Sequence, residues 1–140
     1  MTVTITFFES VPEFKENIEQ AIMETKTVLG ETLSKTEEVR GRYELSKKRF
    51  ESIKKLSSGK TNDMRNARRM EVAGFKVLVN PSADYELNLM EESVSSLQQR
   101  LEAFEKTKEI FPSLNGNNMK IAMVLNDGIP AGFMFYVPDL

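Results

Sequence analysis

The 140-residue chain predicts an α+β fold, with two long helices forming an antiparallel coiled-coil-like arm. A small β-sheet head comes from an N-terminal strand and a C-terminal strand pair. Two features predict this. Apolar residues recur at helical spacing along two long segments, at seven-residue intervals from Val11 to about Leu56 and at intervals of three and four from Leu87 to Phe111. Short β-branched and aromatic runs stand at both ends of the chain. The length is that of a single domain, 1–140, with a head of 1–35 plus 112–140 and an arm of 36–111 whose tip is 57–82.

Residues 2–8, TVTITFF, alternate Val3, Ile5 and Phe7 with Thr2, Thr4, Thr6 and Phe8, the period of a strand. Ser10, Pro12 and Glu13 then mark a helix start with a capping box. Two seven-residue series follow. One is Ile22, Leu29, Thr36, Tyr43 and Phe50; the other is Val11, Ile18, Thr25, Thr32, Val39, Ser46 and Ile53. A continuous helix over this stretch would be about 70 Å long. Gly30 and Gly41 are the places where it could kink or break, and the threonines make its middle the soft part of the seam.

SSGKTND, 57–63, reads as a stop and restart, with Gly59 suited to a C-cap and Thr61 or Asn62 to an N-cap. A short helix is expected over about 63–72, then Gly74 and a strand FKVLV at 75–79, closed by Asn80-Pro81-Ser82. The second long helix carries Leu87, Met90, Val94, Leu97, Leu101, Phe104 and Phe111 and stops at Phe111-Pro112. After the loop SLNGNN, MKIAMVL (119–125) and FMFYV (133–137) read as strands joined through NDGIPAG.

Pairing the two helical stripes antiparallel favours layers whose residue numbers sum to about 147. Phe50 then meets Leu97, Tyr43 meets Phe104 and Ile53 meets Val94, with Lys54 near Glu91 and Arg40 near Glu105. Arg49 beside Arg100 is the discordant pair. The earlier half of the first helix needs another cover, and the terminal strands are placed to supply it.

The net charge of −2 conceals a partition. Residues 1–39 carry −5, residues 40–76 carry +8 and residues 77–140 carry −5. The basic middle either meets a polyanion or folds against its own acidic flanks, and the second is the commoner arrangement. Cys and His are absent, which removes thiolate nucleophiles, disulfides, imidazole acid–base catalysis and the usual zinc ligands. GKT at 59–61 matches the tail of a phosphate-binding loop, but Lys54 stands where that loop needs Gly and a helix precedes it, so a helix cap is the better reading. Neighbouring acids such as Glu37-Glu38 point about 100° apart on a helix and do not converge. The serines have neither a His partner nor a G-x-S-x-G elbow.

No catalytic residue, cofactor or metal site is therefore expected. The absence of a basic leader and of a long apolar run makes the cytoplasm the expected compartment. The expected role is that of a non-enzymatic protein–protein interaction module, an adaptor, assembly factor or inhibitor of another protein, acting through helical and apolar strand surfaces as a homo-oligomer. The alternative is a nucleic-acid-binding protein using segment 40–76. Candidate residues for a partner or nucleic acid are Lys47, Lys48, Lys54, Lys55, Lys60, Arg65, Arg68 and Arg69. Candidates for self-association are Ile129, Phe133, Phe135 and Val137, on a strand apolar on both faces that suits a sheet centre or a subunit contact.

Overall fold

The elements run β1 (Val3–Phe8), α1 (Val11–Leu56), β2 (Arg68–Val72), β3 (Phe75–Val79), α2 (Ala83–Ile110), β4 (Lys120–Asn126) and β5 (Ile129–Tyr136). They are those of a computed structural model that describes residues 2–56, 68–79, 81–115 and 118–138. The α+β class is as expected, with two antiparallel helices and antiparallel strand pairs. The chain divides into two compact units, Met1–Gly30 with Ser95–Leu140, and Glu31–Val94. Helix α1 belongs to both and is one 46-residue element, broken at neither Gly30 nor Gly41.

In the first unit, α1 begins where its capping residues stand. The Ser10 hydroxyl accepts the Glu13 amide at 3.3 Å, and the Glu13 carboxylate accepts the Glu9 amide at 2.9 Å. The sheet has the order β1-β4-β5, all antiparallel, so β4 is central and β5 is an edge. This removes the sheet centre as the reason for the two-sided apolar character of β5. The β4–β5 turn is only Asp127-Gly128, both at positive φ, and not the longer stretch 126–132. Two positive-φ residues are what a tight hairpin turn with the strands' own twist requires, and Asp-Gly supplies them. β5 therefore starts at Ile129 and accommodates Pro130 through a bulge opposite Val124 and Leu125, as an edge strand can.

One face of this sheet packs on the helices. Phe8, Ile121, Met123 and Leu125 join Val11, Phe14, Ile18 and Ile22 of α1 and Phe104 of α2 in a buried cluster. Phe14 lies edge-on to Phe8, Phe111 and Phe133 at centroid distances of 5.3, 6.1 and 6.0 Å, and Phe111 lies edge-on to Phe133 and Phe135. Thr25 and Thr107 are buried in this unit as well. Each hydroxyl donates to the carbonyl four residues back, Ala21 and Ala103, so neither is left unsatisfied.

The second unit holds the rest of both helices and a β2–β3 hairpin. Residues 68–72 form a strand, which corrects the helix expected over 63–72; positions 63–67 lie outside the described residues. The deciding feature is the turn Ala73-Gly74, again at two positive φ values, which folds Met70–Val72 back onto FKVLV. Ser82 caps α2, accepting the Tyr85 amide at 3.3 Å.

The helices are antiparallel in both units, but their register is not the one expected. In the first unit Lys108 pairs with Glu19 at 2.7 Å and Lys26 with Glu105 at 3.8 Å. In the second, Arg40 pairs with Glu91 at 3.3 Å and Arg42 with Glu86 at 3.4 Å. Partner numbers thus sum to between 127 and 131, not 147. Glu105, expected at Arg40, belongs to Lys26, and Glu91, expected at Lys54, belongs to Arg40. The slip is about 18 residues, five helical turns. A stripe that repeats every turn presents the same face after a whole number of turns, so periodicity chose the faces and left the axial offset open.

Candidate interaction surfaces

The expected basic surface is dispersed over several elements. Lys47 and Lys48 are exposed on α1, Lys54 and Lys55 belong to its last turns, and Arg68 and Arg69 open β2. Lys60 and Arg65, with the cap candidates Gly59, Thr61 and Asn62, lie outside the described residues. The first bases of the segment fold against acids: Arg40 hydrogen-bonds Glu91 and Glu37, which together raise its pKa, Glu91 first. Arg42 is taken by Glu86.

Strand alternation sorts the three-stranded sheet into two faces. Phe133 and Phe135, expected at a self-contact, sit opposite Met123 and Ile121 and point to the helices, where their rings pack on Phe111. Ile129 pairs with Asn126 beside the turn, and Val137 is exposed just past the end of β5.

The outer face was not singled out from the sequence. On β1 it carries Val3, Ile5 and Phe7, which are 56, 47 and 64% exposed. The direct partners of Ile5 and Phe7 are Val124 and Ala122 on β4, and those of Val124 and Ala122 on β5 are Gly132 and Met134. Met134 and Tyr136 are exposed as well. Thr4 and Thr6 share the face of Phe8 but are themselves exposed, so of the side chains of β1 only Phe8 is buried. The alternation in TVTITFF was legible; the direction in which each set points is decided by Phe8 entering the core.

A second apolar face lies in the other unit. Met70 and Val72 pair with Val77 and Phe75 on one side of the hairpin, and Met70, Val72 and Phe75 are exposed. Glu71 and Lys76 pair on the other side.

A cleft of about 210 Å³ between α1 and the end of α2 is lined by Phe14, Lys15, Ile18, Lys108, Phe111 and Pro112, among others. It is smaller than a typical ligand site. Its charges are engaged: Lys15 donates to the Pro112 carbonyl at 3.1 Å, and Lys108 holds Glu19. No group of three or more acidic, His or Cys residues able to hold a metal occurs among the described residues. No helix there is long and apolar enough to cross a membrane.

The fold and its surfaces define a two-helix α+β protein whose three-stranded sheet exposes apolar side chains along β1 and β5, on either side of buried Ala122. Compared with known proteins, the chain matches no family model, no curated protein and no solved structure.

Proposed function

We propose that the protein is a non-enzymatic protein–protein interaction module that works through the outer face of the β1-β4-β5 sheet. The observation that carries this reading is the exposure of Val3, Ile5 and Phe7 on one face of β1, with Met134 and Tyr136 exposed on the same face of β5. An apolar sheet face left in water is unfavourable, and faces of this kind are contact surfaces. A chain without His or Cys fits recognition better than thiolate or imidazole chemistry.

A photo-crosslinking side chain placed at Phe7, with a second placed at exposed Met23 of α1 as the control, tests the reading in the cells that make the protein. Protein adducts at position 7 and none at position 23 are expected. Absence of any protein adduct at position 7 would overturn it.

A further inference from the structure

We infer that the outer face of the β1-β4-β5 sheet is the interface of a homodimer, in which the sheet stacks on the same sheet of a second copy about a two-fold axis running along the strands. This rests on the interaction reading above and supplies the occupant.

The face is heavy on one edge and light on the other. Val3, Ile5 and Phe7 line β1, whereas at the level of Ile5 the row runs through Val124 to Gly132. Gly132 borders the bulge of β5, where the pairing shifts between Val124 and Leu125. Gly132 is not at positive φ, and a Cβ built on it meets only the Val124 Cβ at 3.9 Å, an ordinary contact. Glycine inside a strand weakens it and marks either a bulge or a close approach. The missing side chain leaves the β5 edge low beside Val124, in contrast to the ridge on β1.

A two-fold axis along the strands keeps each residue's level and exchanges the edges. It lays β1 of one copy over β5 of the other, with Ile5 above Gly132 and Phe7 above Met134. An axis across the strands would stack β1 on β1 and β5 on β5, ridge on ridge and low edge on low edge. The first arrangement is self-complementary, as an isologous contact must be, and it is the usual face-to-face packing of two sheets.

The charge and area agree. The centre of the face, from Val3 to Phe7 across to Met134, has no ionisable residue; Lys120 stands at its end, paired with Glu9. The exposed apolar residues offer about 500 Å² per copy, near the most that a monomer leaves uncovered. Complete burial of this surface in two copies would reach about 1,000 Å², the least that a specific interface needs.

Light scattering on the full chain and three variants is the test. The wild type is expected at twice the 16.0 kDa chain mass in the micromolar range. Gly132→Val adds bulk on the low edge from a Cβ that meets the Val124 Cβ at an ordinary contact distance, and Ile5→Asp charges the ridge. Each is expected to weaken the dimer at least tenfold, with the far-UV circular dichroism of Gly132→Val unchanged. Phe75→Asp, on the β2–β3 hairpin, is expected to leave the dimer intact. A wild-type mass of 16.0 kDa throughout the micromolar range would overturn the dimer, as would a dimer that Gly132→Val leaves untouched or that Phe75→Asp dissolves. A monomer whose position 7 crosslinks to a different protein would end this inference and leave the interaction reading standing.

Discussion

Single residues at the two hairpin turns show opposite consequences of the same backbone shape. Gly128 sits at φ +81°, and a Cβ added there would lie 3.1 Å from the Arg100 guanidinium. Gly128→Ala thus meets both left-handed strain and a close neighbour. It is expected to destabilise the protein by about 1–2 kcal/mol, read as a lower midpoint in urea unfolding. Ala73 occupies the first position of the other turn at φ 52°, a conformation that costs an alanine roughly 1 kcal/mol and an asparagine less. Ala73→Asn is therefore expected to raise hairpin stability, seen as slower amide exchange across the Met70–Val77 pair. Only one turn was legible beforehand: Asp-Gly lies within the connection read between the last two strands, whereas Ala73-Gly74 follows residues that read as a helix. A positive φ on alanine has no residue-type signal, and Arg100 reaches Gly128 only through the tertiary fold.

At the scale of elements, α1 is a single helix with two exposed glycines and locally satisfied threonines. Thr36 is buried, and its hydroxyl donates to the Thr32 carbonyl at 2.6 Å, so the polar seam is tied to its own helix. Nothing lies within 4 Å of a Cβ built at Gly30 or Gly41. Each therefore carries the backbone cost of glycine with no packing return. Gly30→Ala and Gly41→Ala are each expected to stabilise α1 by about 1 kcal/mol, checked by helical circular dichroism during thermal unfolding. Helix existence, the N-cap at Ser10 and the stop before Pro112 were legible because they depend on neighbouring residues. The offset between helices was not. It is set in part where Lys15 reaches the Pro112 carbonyl and Phe111 enters the aromatic cluster under the sheet, contacts between residues about a hundred positions apart.

For the whole molecule, the acid–base–acid layout of charge bears on what the protein binds. Arg40 and Arg42 are engaged by Glu91 and Glu86, which removes the first bases of the segment from the pool open to a polyanion. With a net charge of −2, the chain is expected to show no micromolar affinity for a random DNA or RNA duplex that falls steeply with salt, as measured by fluorescence anisotropy over a salt series. Binding of that kind, lost on changing Arg65, Arg68 and Arg69 to Glu, would establish nucleic-acid recognition instead.

The amino-acid order by itself determined the class of fold, the two long helices and most of the strands, because capping, periodicity and β-propensity act over a few neighbouring residues. It also made chemistry that depends on thiolate or imidazole groups impossible. Only the tertiary structure decided that 68–72 is a strand, how far α2 slides along α1, that β5 is an edge, and that β1 turns Val3, Ile5 and Phe7 away from the helices. Those are choices between arrangements with equal local preference, and they are resolved by which apolar side chains can be buried together across the chain.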